Sequence, residues 1–559
     1  MRPDLGRFVG IDLGTTYSAI AYLDAHGAPE TVPNRDGQLV TPSVVAILPD
    51  RKVVVGEQAR ALAIERPDRV ALNFKRDMGE RFYHRAVGGK DFSPEALSAL
   101  VLKRLKEDFE ARFGSIDGAV ITVPAYFGDS RRKATEDAGR IASLRVVDVI
   151  NEPTAAALAN AFRRYLASGG SAIRFELAAI AATAPSTTLV FDLGGGTFDV
   201  TVIRISGEHF NVLATGGEVR LGGVDFDRRL ADAVADEFVQ THGVDPRDEP
   251  VTIARLVAAC ERAKIHLSST SQVAIDVDYM GRQCSVPFSR QRLEELTADL
   301  LTRLQMSVEL LLADAMLTWD RIDDVLLVGG SSRMPMIAQM LERMSGKHPN
   351  MATAPEQIVA HGAAIHAAIT QMTASPMTSA ADGSRSMTQD GLTDDEPDRP
   401  SLLDIFDPPV IEAANKVRMT DVNSHSLGVI VRASRENNRI VNSVVIPANT
   451  PLPTSRTKIF GTEAPNQRVV RCRVVEGDTR DPRGCTQIGE VTIRDLPKGL
   501  PQGTPVEVSF RYDRSGRIHV QAVEMSSGVR AEADIVRDSG FDQVTIGELT
   551  RAVSELAVE

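Results

Sequence analysis

The chain has little cysteine and no long uncharged hydrophobic run. Its four cysteines, Cys260, Cys284, Cys472 and Cys485, form no CxxC pair. Structural disulfides and a cysteine zinc site are therefore not expected, and this usage fits a reducing cytoplasm. No run approaches the roughly 20 apolar residues of a membrane helix, and the N-terminus lacks the apolar stretch of a signal peptide. We predict a cytoplasmic protein that has no membrane partner.

The chain also lacks an excess of positive charge. Lysine and arginine number 63 against 75 aspartates and glutamates, so the net charge is −12. Binding of nucleic acid through a basic surface is therefore not expected. The length of 559 residues predicts several domains, because single cores stop growing near about 250–300 residues.

A glycine-rich turn at 192–199, which reads DLGGGTFD, lies between the apolar runs 188–191 and 200–203. The pattern predicts a strand, a tight turn and a second strand. Three adjacent glycines allow backbone N–H groups to close on a phosphate. The flanking aspartates and the threonine supply oxygen groups of the kind that hydrated Mg²⁺ prefers. Taken alone, the stretch is equally well explained as an acidic β-hairpin turn.

The same pattern occurs near the N-terminus, where an apolar strand runs into DLGTTY at 12–17. A third glycine turn, GGSSR at 329–333, follows the apolar strand 325–328 and precedes a helix. Two Asp-Leu-Gly hairpins in two parts of the chain indicate two related lobes that face one nucleotide.

The organisation of the chain changes twice along its length. Strands alternate with helices over residues 1–370, which predicts an α/β architecture. Polar residues and proline dominate 373–420, which predicts a disordered acidic linker. From 421 to 540 apolar residues recur at every second position, which predicts an all-β sandwich. Residues 541–559 predict only a short helix.

Other polar residues are candidates for a site, but each has an ordinary structural explanation. Glu152 precedes a proline, and the extended geometry there can point its carboxylate into a cleft. Glu261, Lys264 and Ser268 share one helix face, where a solvated ion pair is the simpler interpretation. Nothing local distinguishes Lys75 from a surface lysine.

Seven segments together resemble the heat-shock protein 70 chaperones of the DnaK type. They follow the family order at 10–18, 120–129, 150–158, 192–199, 221–226, 261–269 and 328–335. The β region matches more weakly, at 426–428, 446–450, 460–462 and 516–520. The resemblance implies an actin-like ATPase with duplicated ribonuclease H-like lobes at 1–372, and a peptide-binding β-sandwich at 421–540.

The resemblance also implies roles for individual residues, with ATP or ADP, Mg²⁺ and a further K⁺ as ligands. Asp12, Asp192, Asp199 and Glu152 would hold the Mg²⁺ water shell. Lys75 would contact the γ-phosphate or the attacking water, and Thr197 would orient the attack. The phosphates would lie against Lys75, Gly14, Thr15, Thr16, Tyr17, Gly194, Gly195, Gly196 and Thr197. The adenosine site would comprise Glu261, Lys264, Ser268, Gly329, Gly330, Ser331 and Arg333.

The implied function is that of an ATP-dependent chaperone. It would bind unfolded or extended client peptides and would cycle its affinity for them through slow ATP hydrolysis. The implied partners are a J-domain co-chaperone and a nucleotide-exchange factor, and the chain is expected to be a monomer. Pro124 and Arg132 match the family's relay between the nucleotide and the peptide domain.

Several positions depart from the family pattern. The linker end at 416–421 is less acidic and less apolar than in relatives, so the apolar segment Leu402–Phe406 is a candidate to dock in its place. The peptide arch carries Arg435, Glu436, Arg439 and Glu463, which predicts a preference for peptides with polar flanks. Asp148 replaces a basic residue near the J-domain docking site, and like charges there weaken an acidic contact. The helical lid is missing from the pattern.

Three functions therefore remain open. The first is a working peptide chaperone. The second, a sugar kinase or a filament of the same superfamily, is disfavoured by the β-sandwich and by segment 151–158. The third is a nucleotide-regulated scaffold whose peptide coupling is weak or absent.

Overall fold

The computed structural model describes residues 7–24, 27–50, 52–167, 185–352, 354–374, 417–433, 439–513, 517–535 and 541–559. These residues form two α/β halves, a two-sheet β domain and a C-terminal segment that returns to the first half. No helix in the described ranges is long and apolar enough to cross a membrane.

The first half is built on a mixed sheet with strand order β3-β2-β1-β8-β9. Strands β1 and β2 are an antiparallel hairpin, whereas β1, β8 and β9 run parallel. A smaller sheet, β6-β5-β7, lies beside it. The elements are β1 (Phe8–Asp12), β2 (Tyr17–Leu23), β3 (Pro29–Thr31), β4 (Thr41–Pro42), β5 (Val44–Ile47), β6 (Val53–Val55), α1 (Glu57–Glu65), β7 (Val70–Leu72), α2 (Pro94–Phe113), β8 (Gly118–Val123), α3 (Asp129–Ile141), β9 (Val146–Asn151) and α4 (Glu152–Ala167).

The second half repeats this plan. Strands β10 and β11 form the antiparallel hairpin predicted around 192–199, and β15 runs parallel to β10. The elements are β10 (Ser186–Leu193), β11 (Phe198–Ser206), β12 (His209–Glu218), α5 (Gly223–His242), α6 (Pro250–Leu267), β13 (Gln272–Tyr279), β14 (Arg282–Ser289), α7 (Arg290–Leu296), α8 (Ala298–Asp314), β15 (Asp324–Val328), α9 (Pro335–Ser345), β16 (Asn350–Met351) and α10 (Ile358–Ala374).

Helices α4 and α10 join the two halves through small residues. A Cβ on Gly362 would lie 1.8 Å from the carbonyl oxygen of Ala155, and one on Gly10 would lie 2.0 Å from the amide of Ala364. These close approaches exclude any side chain at either glycine. One buried apolar cluster consequently extends from strands of the first half, through both helices, to strands of the second half.

The predicted linker 373–420 needs correction at both ends. Helix α10 runs to Ala374, because its apolar face continues through Met372, which is fully buried. At the other end, β17 (Arg418–Thr420) pairs in parallel with β12 and extends the sheet of the second half. Val417 is buried in the cluster shared by the two halves. The end of the linker therefore docks on the second half. The segment Leu402–Phe406, which was the candidate to dock in its place, lies outside the described residues.

The β domain consists of two four-stranded antiparallel sheets, β19-β18-β21-β22 and β20-β23-β24-β25. The alternating residues Val506, Val508, Phe510 and Tyr512 point into the core that the two sheets share, as the sequence pattern predicts. The strands are β18 (Leu427–Ala433), β19 (Arg439–Ile446), β20 (Thr454–Gly461), β21 (Val470–Glu476), β22 (Thr486–Ile493), β23 (Pro505–Tyr512), β24 (Ile518–Glu524) and β25 (Arg530–Asp534).

The C-terminal segment packs on the first half, which the sequence pattern does not predict. Helix α11 (Gln543–Ser554) lies against α2 and α3, and Ile546, Val553 and Val558 join the core of the first half. The amide of Glu559 donates to the carbonyl of Val53 at 3.0 Å. The predicted short helix is therefore an integrated part of the first half.

Candidate functional site

A cavity of about 380 Å³ lies between the two halves, where the three glycine turns meet. The parallel alignment of β10 and β15 brings the turns at 192–199 and 329–333 to one edge of the second sheet. The turn that follows β1 meets them from the first half. The predicted residues that line the cavity are Asp12, Gly14, Thr15, Thr16, Tyr17, Lys75, Glu152, Asp192, Gly194, Gly195, Thr197, Glu261, Lys264, Ser268, Gly329, Gly330, Ser331 and Arg333. Gly196 and Asp199 are not among its lining residues.

The two Asp-Leu-Gly turns touch each other across the halves. A Cβ on Gly195 would lie 2.2 Å from Thr16 Oγ1, and one on Gly196 would lie 2.2 Å from Thr15 Cγ2. The glycines therefore allow the main chain of one turn to approach the threonine side chains of the other, in addition to any freedom they give the turn. The hydroxyl of Thr15 is buried in this contact and has no hydrogen-bond partner among the residues that the structure describes.

Asp12, Glu152, Asp192 and the Lys75 ammonium line one part of the cavity, and Asp199, outside the lining, interacts electrostatically with Glu152, Asp192 and Lys75. Lys75 is 2% exposed, and its Nζ lies 2.6 Å from Glu152 Oε1. Asp12 accepts a hydrogen bond from Thr122 at 3.0 Å, and Asp199 accepts one from the amide of Tyr126 at 2.9 Å. Asp192 completes the group and is 6% exposed.

Crowding of these acids perturbs their ionisation. Burial raises the pKa of Asp12 to about 7 and the pKa of Asp199 to about 8, and the charge of Glu152 adds to both shifts. Burial also raises the pKa of Asp192 well above its ordinary value, with further contributions from Glu152, Asp199 and Asp12. One lysine does not neutralise four buried carboxylates, so a cation suits the site.

The outer end of the cavity is lined by α6 and by the third glycine turn. Lys264 binds Asp227 at 2.8 Å and the carbonyl of Gly223 at 2.9 Å. Arg333 pairs with Glu356 at 2.9 Å. The predicted surface ion pair of α6 is thus replaced by contacts to α5, since Lys264 turns inward.

Several lining residues carry no local signal in the sequence. Asp227, Glu356, Val359 and Ile265 line the outer end, and Val40 comes from a loop of the first half. Asp227 directly follows the stretch 221–226 that resembles the family, and this proximity is its only signal in the sequence. Ile265 is 56% exposed at the cavity, which marks it only once the fold is known.

The residues present fit a magnesium nucleotide. The acids provide an uncompensated negative site for a hydrated cation, and the buried Thr15 hydroxyl, which has no partner within the described ranges, has an unused donor for an acceptor oxygen. The glycine turns leave main-chain N–H groups without shielding side chains. Among the described residues, no group of three or more acids, histidines or cysteines has the geometry of a direct metal centre.

A second set of contacts joins the site to the β domain. The Tyr126 ring, next to the amide that binds Asp199, packs against His425 with ring centres 4.3 Å apart. Ser424 Oγ donates to the carbonyl of Ala125 at 2.7 Å. Asp421 accepts a hydrogen bond from Asn151, the residue before Glu152. The predicted relay residue Arg132 donates to Asn151 and to the carbonyl of Val149.

The two departures at the J-domain position and the peptide arch have defined neighbours. Asp148 pairs with His366 at 2.7 Å, and this contact lowers the pKa of Asp148 against the opposing effect of burial. In the β domain, Arg432 Nε lies 3.5 Å from Glu463 Oε1. Arg435 and Glu436 lie outside the described residues.

The chain is a multidomain α/β protein with an appended β-sandwich. Its two similar α/β halves enclose an acidic, glycine-lined cavity, and a two-sheet β domain follows them. The Hsp70 protein family model matches residues 8–378 and 405–559. Since the match covers most of the chain, the chain belongs to the Hsp70 family. That family implies an actin-like ATPase fold followed by a β-sandwich, and its members are ATPases that generally bind ATP or ADP with Mg²⁺ and act on client peptides.

Proposed function

We propose that this chain is a chaperone that hydrolyses ATP and uses its nucleotide state to change how the β-sandwich holds an extended peptide. The observation that carries the proposal is the meeting of the two Asp-Leu-Gly turns beside Lys75 and the four carboxylates. A phosphate chain between those turns would have main-chain donors on both sides and acids positioned for a hydrated cation.

Phosphoryl transfer requires positioning and charge neutralisation more than a covalent group. Bound Mg²⁺ would supply neutralisation of the phosphate charge, through water held by Asp12, Asp192, Asp199 and Glu152. Lys75, whose ammonium is held by Glu152, binds the γ-phosphate or the attacking water. The Thr197 hydroxyl orients the attack. The turns at 14–17 and 194–197 bind the phosphates, and Glu261, Lys264, Ser268 and Arg333 hold the adenosine.

The contacts between the site and the sandwich favour a coupled chaperone. Asp199 binds the Tyr126 amide, and Tyr126 and Ala125 touch His425 and Ser424 of the sandwich side. A change in the position of the Asp199 carboxylate thus reaches the β domain through a single intervening residue, Tyr126. The docking of β17 on β12 provides a second connection.

A nucleotide-regulated scaffold is the second candidate, and one observation favours it. The ion pair between Arg432 and Glu463 places charges at the peptide arch, where an apolar client would have to displace or desolvate them. On the chaperone hypothesis the same pair selects peptides with polar flanks.

For partners, we propose a nucleotide-exchange factor and a J-domain protein of altered charge, because Asp148 and Asp421 are both acidic near the J-domain docking site. The alternative is that no J-domain protein binds this chain.

Single-turnover ATP hydrolysis by the full chain, with and without a peptide library, tests the proposal. We expect slow hydrolysis that peptides stimulate, and loss of hydrolysis in Lys75→Met, which also excludes a contaminating ATPase. Hydrolysis that ignores every peptide would support the scaffold. Absence of hydrolysis in the wild-type protein would overturn the ATPase assignment.

A further inference from the structure

Arg76, the residue after Lys75, reaches from the first half into the second. It lies in the 3₁₀ turn Phe74–Asp77 and is 9% exposed. Its Nε donates to the main-chain carbonyl of Gly196 at 2.8 Å, and its terminal nitrogens bind both carboxylate oxygens of Asp225, at 3.2 and 2.5 Å. A single side chain thus joins the Lys75 turn to the glycine turn of the opposite half.

Asp225 belongs to a bonded unit at the start of α5. Its carboxylate accepts a hydrogen bond from the amide of Gly222 at 2.8 Å. The amides at 223–224 donate to the carbonyls at 194–195, at 3.0 and 2.8 Å. A Cβ on Gly222 would lie 2.6 Å from the amide of Gly196, so no side chain separates the two segments. Arg76 therefore holds the glycine turn and the start of α5 together.

Lys75 and Arg76 bind opposite halves from adjacent positions. Lys75 pairs with Glu152 of the first half, and Arg76 pairs with Asp225 of the second. The position of the Lys75 ammonium relative to the turn at 194–197 therefore depends on the Arg76 contacts. A guanidinium suits this task, because two parallel N–H bonds set direction as well as distance.

We propose that Arg76 is a positioning residue for hydrolysis, which keeps Lys75 in register with the phosphate-binding turn of the other half. This inference rests on the proposed ATPase function. A purely structural ion pair would behave differently, because its loss would change stability or nucleotide affinity and would leave the rate of bound ATP hydrolysis unchanged.

A neighbouring pair provides a matched control. Arg220 of the second half lies 3.7 Å from Asp77, one residue beyond Arg76, so it also links the two halves. Its side chain is 70% exposed, and its acidic partner is Asp77, whereas Arg76 binds the glycine turn itself. Arg220→Met therefore removes a contact between the halves without removing one to the turn.

The test is single-turnover hydrolysis of preloaded ATP, together with ADP dissociation measured by stopped flow. We expect Arg76→Met to slow hydrolysis of bound ATP by about 10- to 100-fold, since a misplacement of ~1 Å can cost about 100-fold. Arg76→Lys keeps the charge and loses the fork, so its rate should lie between those of Arg76→Met and the wild type. Arg220→Met should stay within about twofold of the wild type.

Asp225→Asn completes the design. If the contact is the cause, Arg76→Met/Asp225→Asn should be no slower than Arg76→Met alone, because both changes remove one interaction. Additive losses, or an Arg76→Met rate equal to that of Arg220→Met, would overturn the positioning role while the ATPase assignment stands. A wild-type chain without hydrolysis would overturn both. Thermal unfolding of each variant identifies any that fails to fold.

Discussion

At the scale of single residues, Asp199 shows how strongly burial and a neighbouring acid perturb a carboxylate of the site. Its carboxylate accepts a hydrogen bond from the amide of Tyr126, and backbone hydrogen bonds from Tyr126 and Ala125, together with the charge of Lys75, lower its pKa. Burial and the charge of Glu152 outweigh these effects and raise the pKa to about 8. Ionised Asp199 is therefore costly in the metal-free protein, and a bound cation reverses that cost.

We expect Asp199→Asn to stabilise the metal-free protein increasingly as the pH rises. The folded-state pKa of Asp199, about 8, exceeds the ordinary value of 3.8. The neutral Asp199 side chain makes its full contribution to the stability of the folded state below the unfolded-state pKa. This contribution is lost as the pH rises through the folded-state pKa. Calorimetry in a chelator should show that the melting-temperature gain of the variant grows from about pH 5 to about pH 8.

The same variant supplies its own control when Mg²⁺ and ADP are added. The ionised carboxylate is then needed, so the wild type should gain more in melting temperature than Asp199→Asn. A gain of equal size at both pH values would contradict the assigned shift. Equal stabilisation of the two proteins by Mg²⁺ and ADP would contradict the place of Asp199 in the cation site.

At the scale of elements, the sequence predicts the strands and turns that depend on residues close together in the chain. The hairpins β1–β2 and β10–β11 could be predicted, because a glycine turn between two apolar runs is a signal within about ten residues. The alternating strands of the sandwich could be predicted for the same reason. Lys75 and Glu152 are 77 positions apart, so their pairing exists only once β9 and the turn at 74–77 have both packed into the first half.

Strand β17 and the docking of the predicted helix α11 escaped prediction, because both depend on partners that are distant in the chain. Strand β17 has three residues and no pattern of its own, and it forms by pairing with the edge of β12. Helix α11 has an apolar face, but the sequence does not say which surface covers it. Lys103 Nζ binds the carbonyls of Val553 and Leu556 at 2.8 and 2.7 Å, which stabilises the last turn of the helix.

We expect Ile546→Asp to destabilise the first half, because Ile546 is 7% exposed in its core. Loss of a buried aliphatic side chain and burial of a charge together cost about 3 kcal/mol or more. Val544→Asp is the matched control, since Val544 lies on the same helix and is 69% exposed. Its effect should stay within about 0.5 kcal/mol. Equal melting temperatures of the two variants would show that α11 is a loose appendage.

At the scale of the whole molecule, the β-sandwich is attached to both halves. Strand β17 links its N-terminal side to β12 of the second half, and α11 links its C-terminal side to the first half. The turn at 124–128 contacts it between these attachments. Movement of one half against the other therefore acts on the sandwich from two sides, which is the geometry that a coupled chaperone requires.

The edge of β12 that pairs with β17 reports on this docking. Its residues 209–211 pair with β17, and the amide of Thr215 donates to the Asn449 side chain of the β domain at 2.9 Å. Such an edge would otherwise present unpaired backbone groups to solvent. We expect Met419→Asp, which places a charge on the partly buried centre of β17, to speed hydrogen exchange across β12, measured by mass spectrometry.

The extent of that change separates two descriptions of the molecule. If β17 and the sandwich dock as one unit, exchange should rise at Thr215 as well as at 209–211, because releasing the strand also withdraws Asn449. If they dock independently, only 209–211 should respond. The hairpin β13–β14 pairs only with itself within the described sheets, and its exchange should not change. Unaltered exchange along the whole of β12 would mean that the linker strand is not docked in solution, and coupling would then have to pass through other contacts, such as those of the 124–128 turn.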